Sequence, residues 1–174
     1  IQLENALHFC PIDPEKTLTF LKEIEKLTAA ALKDVRQSVS TLRCDPAKNL
    51  PLDQKIVQLG EDFRRLHKIS LECQIFLSFP VSSEVNTSVY RIIQEALTNI
   101  AKHSQCDRVV VKLNTKNQWL YLLIEDNGRG FNPQQNTTGF GLQGMRERTI
   151  ALGGKIFLSS FPQKGCQITI EIPL

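Results

Sequence analysis

The chain contains no long hydrophobic run and no long run of one charge. No apolar stretch in its 174 residues approaches the roughly 20 residues that span a bilayer. The 21 basic and 18 acidic residues give a net charge of +3, and no basic run exceeds pairs such as Arg64-Arg65. We therefore expect neither membrane contact nor nucleic-acid binding.

The cysteines form an odd set without Cys-x-x-Cys spacing. They are Cys10, Cys44, Cys73, Cys106 and Cys166. Such a set argues against both a disulfide framework and a zinc site, so we expect a reducing, cytoplasmic setting. The chain begins at Ile1, without an initiator methionine or a signal sequence, and we expect it to be part of a longer protein.

Two common phosphate-binding patterns are also missing. Gly154-Lys155 is followed by Ile156, which excludes a loop of the Gly-x-x-x-x-Gly-Lys-Ser/Thr kind. The series Gly139-x-Gly141-x-x-Gly144 has the spacing of a dinucleotide fingerprint, but it follows a polar loop instead of a strand. A nucleotide site in this chain would therefore have to use a different phosphate-binding motif.

An apolar run at residues 119–124 leads into Asp126-Asn127-Gly128-Arg129-Gly130. The run predicts a buried strand that delivers one carboxylate, Asp126, onto a bend. Because Gly128 and Gly130 have no side chain to block a ligand, Asp126 is placed to accept hydrogen bonds from a planar donor such as an amino-purine. An ordinary turn between strands is the alternative that these five residues leave open.

A glycine-rich segment follows the polar residues 132–138. Gly139 and Gly141 precede a helix predicted at 144–152, which Gly144 begins and Gly153-Gly154 would end. Glycines on either side of a polar segment predict a mobile loop, and a loop that closes on a helix start suits phosphate.

A helix predicted from Ser82 or Ser83 to about His103 has two distinct faces. Its predicted buried stripe is Val89, Ile92, Ile93, Ala96 and Ile100. The other face carries a carboxylate, an amide, an ammonium and an imidazole, from Glu95, Asn99, Lys102 and His103. Oxygen ligands suit magnesium and an amine suits phosphate, although a merely solvated polar face stays open as the alternative.

The order of the predicted elements indicates an α+β fold. The other elements are an amphipathic helix at 52–67, with Ile56, Leu59, Phe63 and Leu66 on one face, and strands at 73–79, 108–115, 119–125, 155–161 and 166–172. This order predicts a two-layer sandwich in which a mixed sheet is covered by about three helices on one face.

A long helix is predicted at residues 15–43, which contain no glycine or proline. Apolar or small residues recur there at alternating spacings of three and four: Leu21, Ile24, Thr28, Ala31, Val35, Ser38 or Val39, and Leu42. That spacing is typical of a seam between paired helices, although packing on its own domain stays open. We expect residues 1–44 to form part of a helical hairpin, 45–51 a linker, and 52–174 the second domain.

Three motifs occur in the order and spacing of one family. Glu95-x-x-x-Asn99-x-x-Lys102-His103 resembles the N box, Asp126-x-Gly128-x-Gly130 the G1 box, and Gly139-x-Gly141-Leu142-x-Gly144-Met145 the G2 box of sensor histidine kinases. The amino-acid sequence at residues 90–104 and 139–154 resembles that of the NarX and DesK-like class. Residues 27–43 are similar to the second helix of that class's dimerisation hairpin.

The resemblance implies a Bergerat-type site for ATP and Mg²⁺ in the catalytic domain of a protein-histidine kinase. It implies that Asp126 holds the adenine amino group, that Asn99 binds Mg²⁺ and phosphate oxygens, and that Lys102 pairs with a phosphate. Glu95 would be the catalytic carboxylate, assisting magnesium or accepting a proton. The other residues that it places at the nucleotide are His103, Gly128, Gly130, Phe131, Gly139, Gly141, Leu142, Gly144, Met145 and Cys166.

Two features depart from the family's pattern. Proteins with this fold often have Gly-Thr where this chain has Gly165-Cys166, which puts a hydroxyl contact to adenine in doubt. The class places its phosphoacceptor in a His-Asp or His-Glu pair, and His8, His67 and His103 are each followed by a non-acidic residue. We expect the phosphoacceptor to lie upstream of Ile1.

The resemblance also implies partners. The γ-phosphoryl of Mg-ATP would pass to the histidine and then to a response regulator, and the whole protein would form a homodimer through its helical hairpin. Two other functions remain: an anti-sigma-factor-type serine kinase, against which the long helix argues, and a non-catalytic nucleotide-gated interaction module.

Overall fold

The computed structural model describes residues 16–22, 24–25, 28, 50–133 and 140–174. The chain divides into two compact units, residues 1–49 and 50–174, and each is described by itself. In the first unit residues 16–22 are helical, and Thr28 Oγ1 donates a hydrogen bond to Ile24 O over 2.7 Å. Most of the helix predicted at 15–43, with its seam, lies outside the described residues, so the hairpin and the linker stay predictions.

A five-stranded mixed sheet forms the centre of the second unit. Its elements are α1 (Leu52–His67), β1 (Ser70–Phe76), α2 (Ser83–His103), β2 (Arg108–Lys116), β3 (Trp119–Asp126), α3 (Phe140–Ala151), β4 (Lys155–Ser160) and β5 (Cys166–Pro173). The strand order is β1-β2-β3-β5-β4. The pair β1/β2 is parallel and the other three neighbouring pairs are antiparallel, which confirms the predicted mixed sheet.

One face of the sheet is buried beneath the helices. Along β2, the side chains of Val109, Val111 and Leu113 are fully buried, whereas the alternating residues Lys112 and Asn114 are exposed. Because successive side chains of a strand point to opposite faces, the described helices cover one face of the sheet. α1 packs on β1, α2 on β3 and α3 on β4. The predicted two-layer α+β sandwich is confirmed.

Helix α2 lies at the centre of the helical layer and contacts both other helices. It begins after Ser82, whose Oγ accepts a hydrogen bond from Val85 N over 3.2 Å. The predicted stripe is buried as expected: Val89, Ile92, Ile93, Ala96 and Ile100. Burying each large aliphatic side chain contributes about 1.5–3 kcal/mol. The stripe therefore fixes the orientation of α2 and directs its opposite face away from the core.

The first helix ends at His67 as predicted, whereas the first strand differs from prediction. Lys68 adopts a left-handed conformation, with φ of 56°, and ends α1 by donating its N–H to Arg64 O. The chain then enters β1 at Ser70, three residues earlier than predicted, and pairs in parallel with Arg108. Leu66 is 71% exposed, so its predicted place on the buried face of α1 is wrong.

Helix α3 begins at Phe140 instead of Gly144. Gly141 thus lies inside the helix and not in the loop before it, and Gly144 lies one turn inside the helix instead of at its start. A helical glycine costs about 1 kcal/mol relative to alanine, and here the fully buried Met145 and Thr149 provide packing that offsets this cost. The predicted end of α3 is confirmed, because the helix stops at Ala151 and Gly153 adopts the left-handed conformation with a φ of 70°.

Candidate functional site

Asp126 ends β3 as a buried carboxylate, with only 6% of its surface exposed. Its neighbours across the sheet are Val109 and Cys166. Oδ1 accepts hydrogen bonds from Ser104 Oγ at 2.6 Å and from Gly128 N at 2.9 Å. Within the described residues both bonds fall on Oδ1, so Oδ2 is left to accept a hydrogen bond from a ligand.

The loop after β3 lies directly against the end of α2. A Cβ at Gly128 would collide with both the side-chain and the backbone oxygen of Ser104. Arg129 N donates to Ser104 O over 2.8 Å, so the backbone itself holds the loop in place. Glycine at position 128 is therefore required for this close approach, and the buried residue is not part of the cavity wall described below.

The turn between β4 and β5 holds the other side of this loop. Gln163 N donates to Arg129 O over 2.6 Å, and Phe131 N donates to Ser160 Oγ over 2.9 Å. Gly130 has a φ of 55°, and a Cβ there would collide with Phe161 O. The loop carrying residues 127–131 is thus fixed on both sides before any ligand binds.

Helices α2 and α3 meet at Gly141. A Cβ on this glycine would collide with Glu95 Oε1 and lie 3.0 Å from Asn99 Nδ2. Glu95 and Asn99 are one helical turn apart on α2, so their polar ends converge on the first turn of α3. The N–H groups of a first helical turn lack partners within the helix and attract anions.

These elements enclose a cavity of about 280 Å³. Its apolar wall is formed by Ala96, Ile100, Ile124, Leu142 and Ile168, and its polar side chains are Asn99, His103, Ser104, Asp126, Arg129 and Cys166. The volume is near the lower end of the range for small-molecule sites, roughly 300–1,000 Å³. An apolar slot with one buried carboxylate suits a flat ring that carries a donor group.

Cys166 contributes a thiol to the cavity beside Asp126. Burial above all, and then the charge of Asp126, raise its pKa from 9.0 to about 11, against the lowering effect of a hydrogen bond with Ser160. The thiol is therefore uncharged at neutral pH. Cys166 thus presents a weak S–H donor to the cavity.

The structure brings most of the predicted site residues to one cavity. Those that line it are Asn99, His103, Asp126, Gly130, Phe131, Gly141, Leu142 and Cys166. Glu95 lies at its edge, against Gly141. Their roles toward a ligand stay predictions.

Other predicted residues lie elsewhere. Lys102 is exposed and outside the cavity wall. Met145 is fully buried in the core, and Gly144 approaches Arg148 instead of the cavity. Gly139 lies outside the described residues. Lys102, Gly128, Gly144 and Met145 are thus not part of the cavity wall, and their predicted roles at a ligand stay predictions.

Ser104 and Arg129 line the cavity but were not among the predicted site residues. Arg129 lies within the bend at residues 126–130, which already indicated a ligand site from the sequence. Ser104 follows His103 directly, but nothing in its spacing indicates a hydrogen bond to a residue 22 positions later.

The described residues contain no group of three or more histidines, cysteines or acidic residues close enough to hold a metal. Magnesium is commonly bound through one or two protein oxygens together with phosphates and water. The carboxylate of Glu95 and the side-chain amide of Asn99, with its Nδ2, converge on Gly141. A carboxylate and an amide both carry oxygens of the kind that this mode uses. No helix in the described part of the chain is long and apolar enough to cross a membrane.

The second unit combines a mixed sheet under one helical layer with an apolar cavity that holds one buried carboxylate, between α2 and the loop after β3. This is the arrangement of an ATP-binding domain. The chain belongs to the Histidine kinase-, DNA gyrase B-, and HSP90-like ATPase family, which it matches over residues 84–174.

Curated relatives extend the likeness beyond this range. Sensor histidine kinase LiaS of Bacillus subtilis is 32% identical over 161 residues, covering 92% of this chain and 44% of LiaS. Sensor protein VraS of Staphylococcus aureus is 31% identical over 152 residues, covering 87% of this chain and 44% of VraS. The resemblance to sensor histidine kinases is confirmed, and the narrower NarX and DesK-like class stays a prediction. The chain spans less than half the length of these relatives.

Solved structures share the fold. The histidine kinase domain of the blue-light activated histidine kinase from Erythrobacter litoralis EL346 aligns with a TM-score of 0.58 and 23% identity, covering 73% of this chain and 63% of that one. Mycobacterial sensor histidine kinase MprB aligns with a TM-score of 0.53 and 23% identity, covering 69% and 92%. At this identity the likeness concerns the fold alone.

Proposed function

We propose that the cavity binds the adenine ring of ATP, with the 6-amino group donating to Oδ2 of Asp126. The observation that carries this proposal is the burial of Asp126 with both of its hydrogen bonds on Oδ1. The apolar wall, including Ile100 and Ile168, suits the faces of a purine. Cys166 replaces a hydroxyl with an uncharged thiol, so the carboxylate is the principal polar contact to the base.

The phosphates extend from this slot toward the junction of α2 and α3. The first turn of α3 contains no acidic residue, and its free N–H groups favour an anion. Asn99 and Glu95 supply the protein oxygens for Mg²⁺, which neutralises phosphate charge when it is bound. Lys102 is exposed near the end of α2, where it would pair with a phosphate from solvent, and His103 lines the cavity.

In the whole protein, the same site serves a two-component sensor histidine kinase. It presents the γ-phosphoryl group of Mg-ATP to a histidine on another helix, and a response regulator then receives the phosphoryl group. The two curated relatives, which align with 87–92% of this chain, support this role. We propose a homodimer through the helical hairpin, in a reducing cytoplasmic compartment consistent with the free thiols of Cys73, Cys106 and Cys166.

Calorimetric titration with ADP tests the base contact. Asp126→Asn leaves an acceptor but adds a donor that faces the amino group, and one buried mispaired contact costs roughly 1–3 kcal/mol. We expect ADP affinity to fall by about 10-fold to 100-fold. Unchanged ADP affinity in this variant would remove Asp126 from the base site.

Transfer is tested with γ-labelled ATP and a separate helical segment that carries a histidine followed by an acidic residue. We expect slow labelling of that segment and none of this chain, because the intramolecular advantage, worth about 7–11 kcal/mol in well-oriented systems, is missing. Label on His8, for example, would place the phosphoacceptor within this chain. No label on the added segment, despite measured ATP binding, would favour a nucleotide-gated module.

A further inference from the structure

Ser104 joins the end of α2 to the base end of the cavity. It is the C-terminal cap residue of α2 and is 8% exposed. Its hydroxyl donates to Asp126 Oδ1 over 2.6 Å, and its backbone oxygen accepts from Arg129 N over 2.8 Å. The side chain of Ser104 therefore contacts Asp126, and its backbone contacts Arg129 in the loop that follows.

A third hydrogen bond closes this arrangement into a ring. Gly128 N donates to the same oxygen, Asp126 Oδ1, over 2.9 Å. Ser104 lies so close to Gly128 that no side chain is possible at that position. The ring formed by Ser104, Asp126, Gly128 and Arg129 therefore holds the carboxylate through donors that approach one of its two oxygens.

We propose that Ser104 is a positioning residue that fixes which oxygen of Asp126 faces the purine and thereby sets selectivity for a 6-amino group. The terminal torsion of an aspartate is broad and roughly twofold, so the carboxylate needs external donors to define its plane. With Oδ1 held by Ser104 and Gly128, Oδ2 remains as an acceptor in a fixed direction. This inference rests on the proposed function of the cavity as an adenine site.

The position of Ser104 on α2 limits its effect to the base end. It follows Asn99 by five residues, about 7.5 Å along a helix. Removing the Ser104 hydroxyl leaves Asn99 and Glu95 anchored by the buried stripe of α2. The loss should therefore depend on the group at position 6 of the purine and not on the phosphates or on Mg²⁺.

The test compares two ligands, ADP and the 5′-diphosphate of purine riboside, which lacks the 6-amino group. A charge-assisted hydrogen bond is among the stronger protein hydrogen bonds, so we expect Ser104→Ala to weaken ADP binding by about 10-fold to 30-fold. Binding of the purine riboside diphosphate should change by less than about threefold. Ser104→Thr, which keeps the hydroxyl, should retain the preference for ADP over the purine riboside diphosphate. Ser104→Cys should lose part of that preference.

A double-mutant cycle asks whether Ser104 acts through Asp126. In the Asp126→Asn background, Ser104→Ala should cost little further ADP affinity, because the oriented acceptor is already lost. Thr115→Val is the matched control. Thr115 is also a buried hydroxyl residue, but its Oγ1 accepts from Ser78 N over 2.7 Å at the opposite end of β2. This variant should bind both ligands as the unchanged protein does.

The outcomes separate this inference from the proposed function. Equal weakening of both ligands by Ser104→Ala, with Thr115→Val unaffected, would show a structural role and overturn the inference. If Ser104→Ala and Ser104→Cys both kept the full preference for ADP over the purine riboside diphosphate, and Asp126→Asn lost it, the inference would be overturned. The proposal of an adenine site would remain intact. Failure of the unchanged protein to bind ADP would overturn both. Thermal unfolding of each variant establishes that the folded protein is being titrated.

Discussion

Replacing Gly128 with alanine should damage both the stability and the nucleotide affinity of the second unit. The added Cβ would fall on Ser104 O and Oγ and 2.8 Å from Ser104 C, and backbone atoms at the end of a packed helix have nowhere to move. Overpacking of this kind costs about 1–3 kcal/mol. The hydrogen bonds from Gly128 N and Arg129 N would be strained as well, at about 1 kcal/mol each.

We therefore expect Gly128→Ala to lower the free energy of unfolding by about 3–5 kcal/mol. For a protein of this size, about 1 kcal/mol corresponds to a change in Tm of roughly 2–4 °C, so the midpoint should fall by about 10 °C. Differential scanning calorimetry measures this shift. ADP titration below the midpoint should show affinity reduced by about 100-fold, because the carboxylate of Asp126 loses its fixed orientation.

Gly144→Ala is the matched control. Its Cβ would meet Arg148 Nη1 at 3.0 Å, the far end of a flexible side chain, in a helix where alanine is favoured over glycine by about 1 kcal/mol. This variant should unfold at or slightly above the midpoint of the unchanged protein. If Gly128→Ala melted within about 2 °C of the unchanged protein and bound ADP within about twofold, the close approach of Ser104 would not control the site.

Three further predictions follow from the site and the core. Asn99→Ala should weaken Mg-ATP binding more than adenosine binding in calorimetry, and equal losses would remove Asn99 from the metal role. Phe63→Ala should cost about 3–5 kcal/mol in urea unfolding, whereas Leu66→Ala should stay within about 0.5 kcal/mol, since Phe63 is 5% and Leu66 71% exposed. Because folding raises the pKa of Cys166 from 9.0 to about 11, the folded state keeps a proton that the unfolded state loses, and stability should fall as pH rises across this interval. That fall should be smaller in Cys166→Ala, and an unchanged pH profile in this variant would contradict the burial of the thiol.

Elements with one dominant periodicity could be predicted from the sequence. The apolar stripe of α2 and its capping Ser82 defined that helix to within a residue. The apolar run that ends at Asp126 likewise indicated the end of β3 correctly. In both cases local pattern and tertiary burial favour the same structure, so short-range information is sufficient.

Features set by long-range contacts could not be predicted. β1 begins at Ser70 because its edge pairs with β2, and the interval after α1 contains no proline or glycine to indicate this early start. α3 extends back to Phe140 although two glycines lower its local helix propensity. Ser104 joins the site through a hydrogen bond to a residue 22 positions later, a contact that neither periodicity nor motif spacing contains.

The sheet order has a consequence for the synthesis of the protein on the ribosome. β5 is made after β4 but lies between β4 and β3, and it carries Cys166 and Ile168 into the cavity wall. Forty residues separate Asp126 from Cys166, which corresponds to about 2–8 s of translation. During that interval the edge of β3 has no β5 partner and the cavity lacks one wall. A nascent chain should therefore gain ATP affinity only after β5 has emerged from the ribosomal exit tunnel.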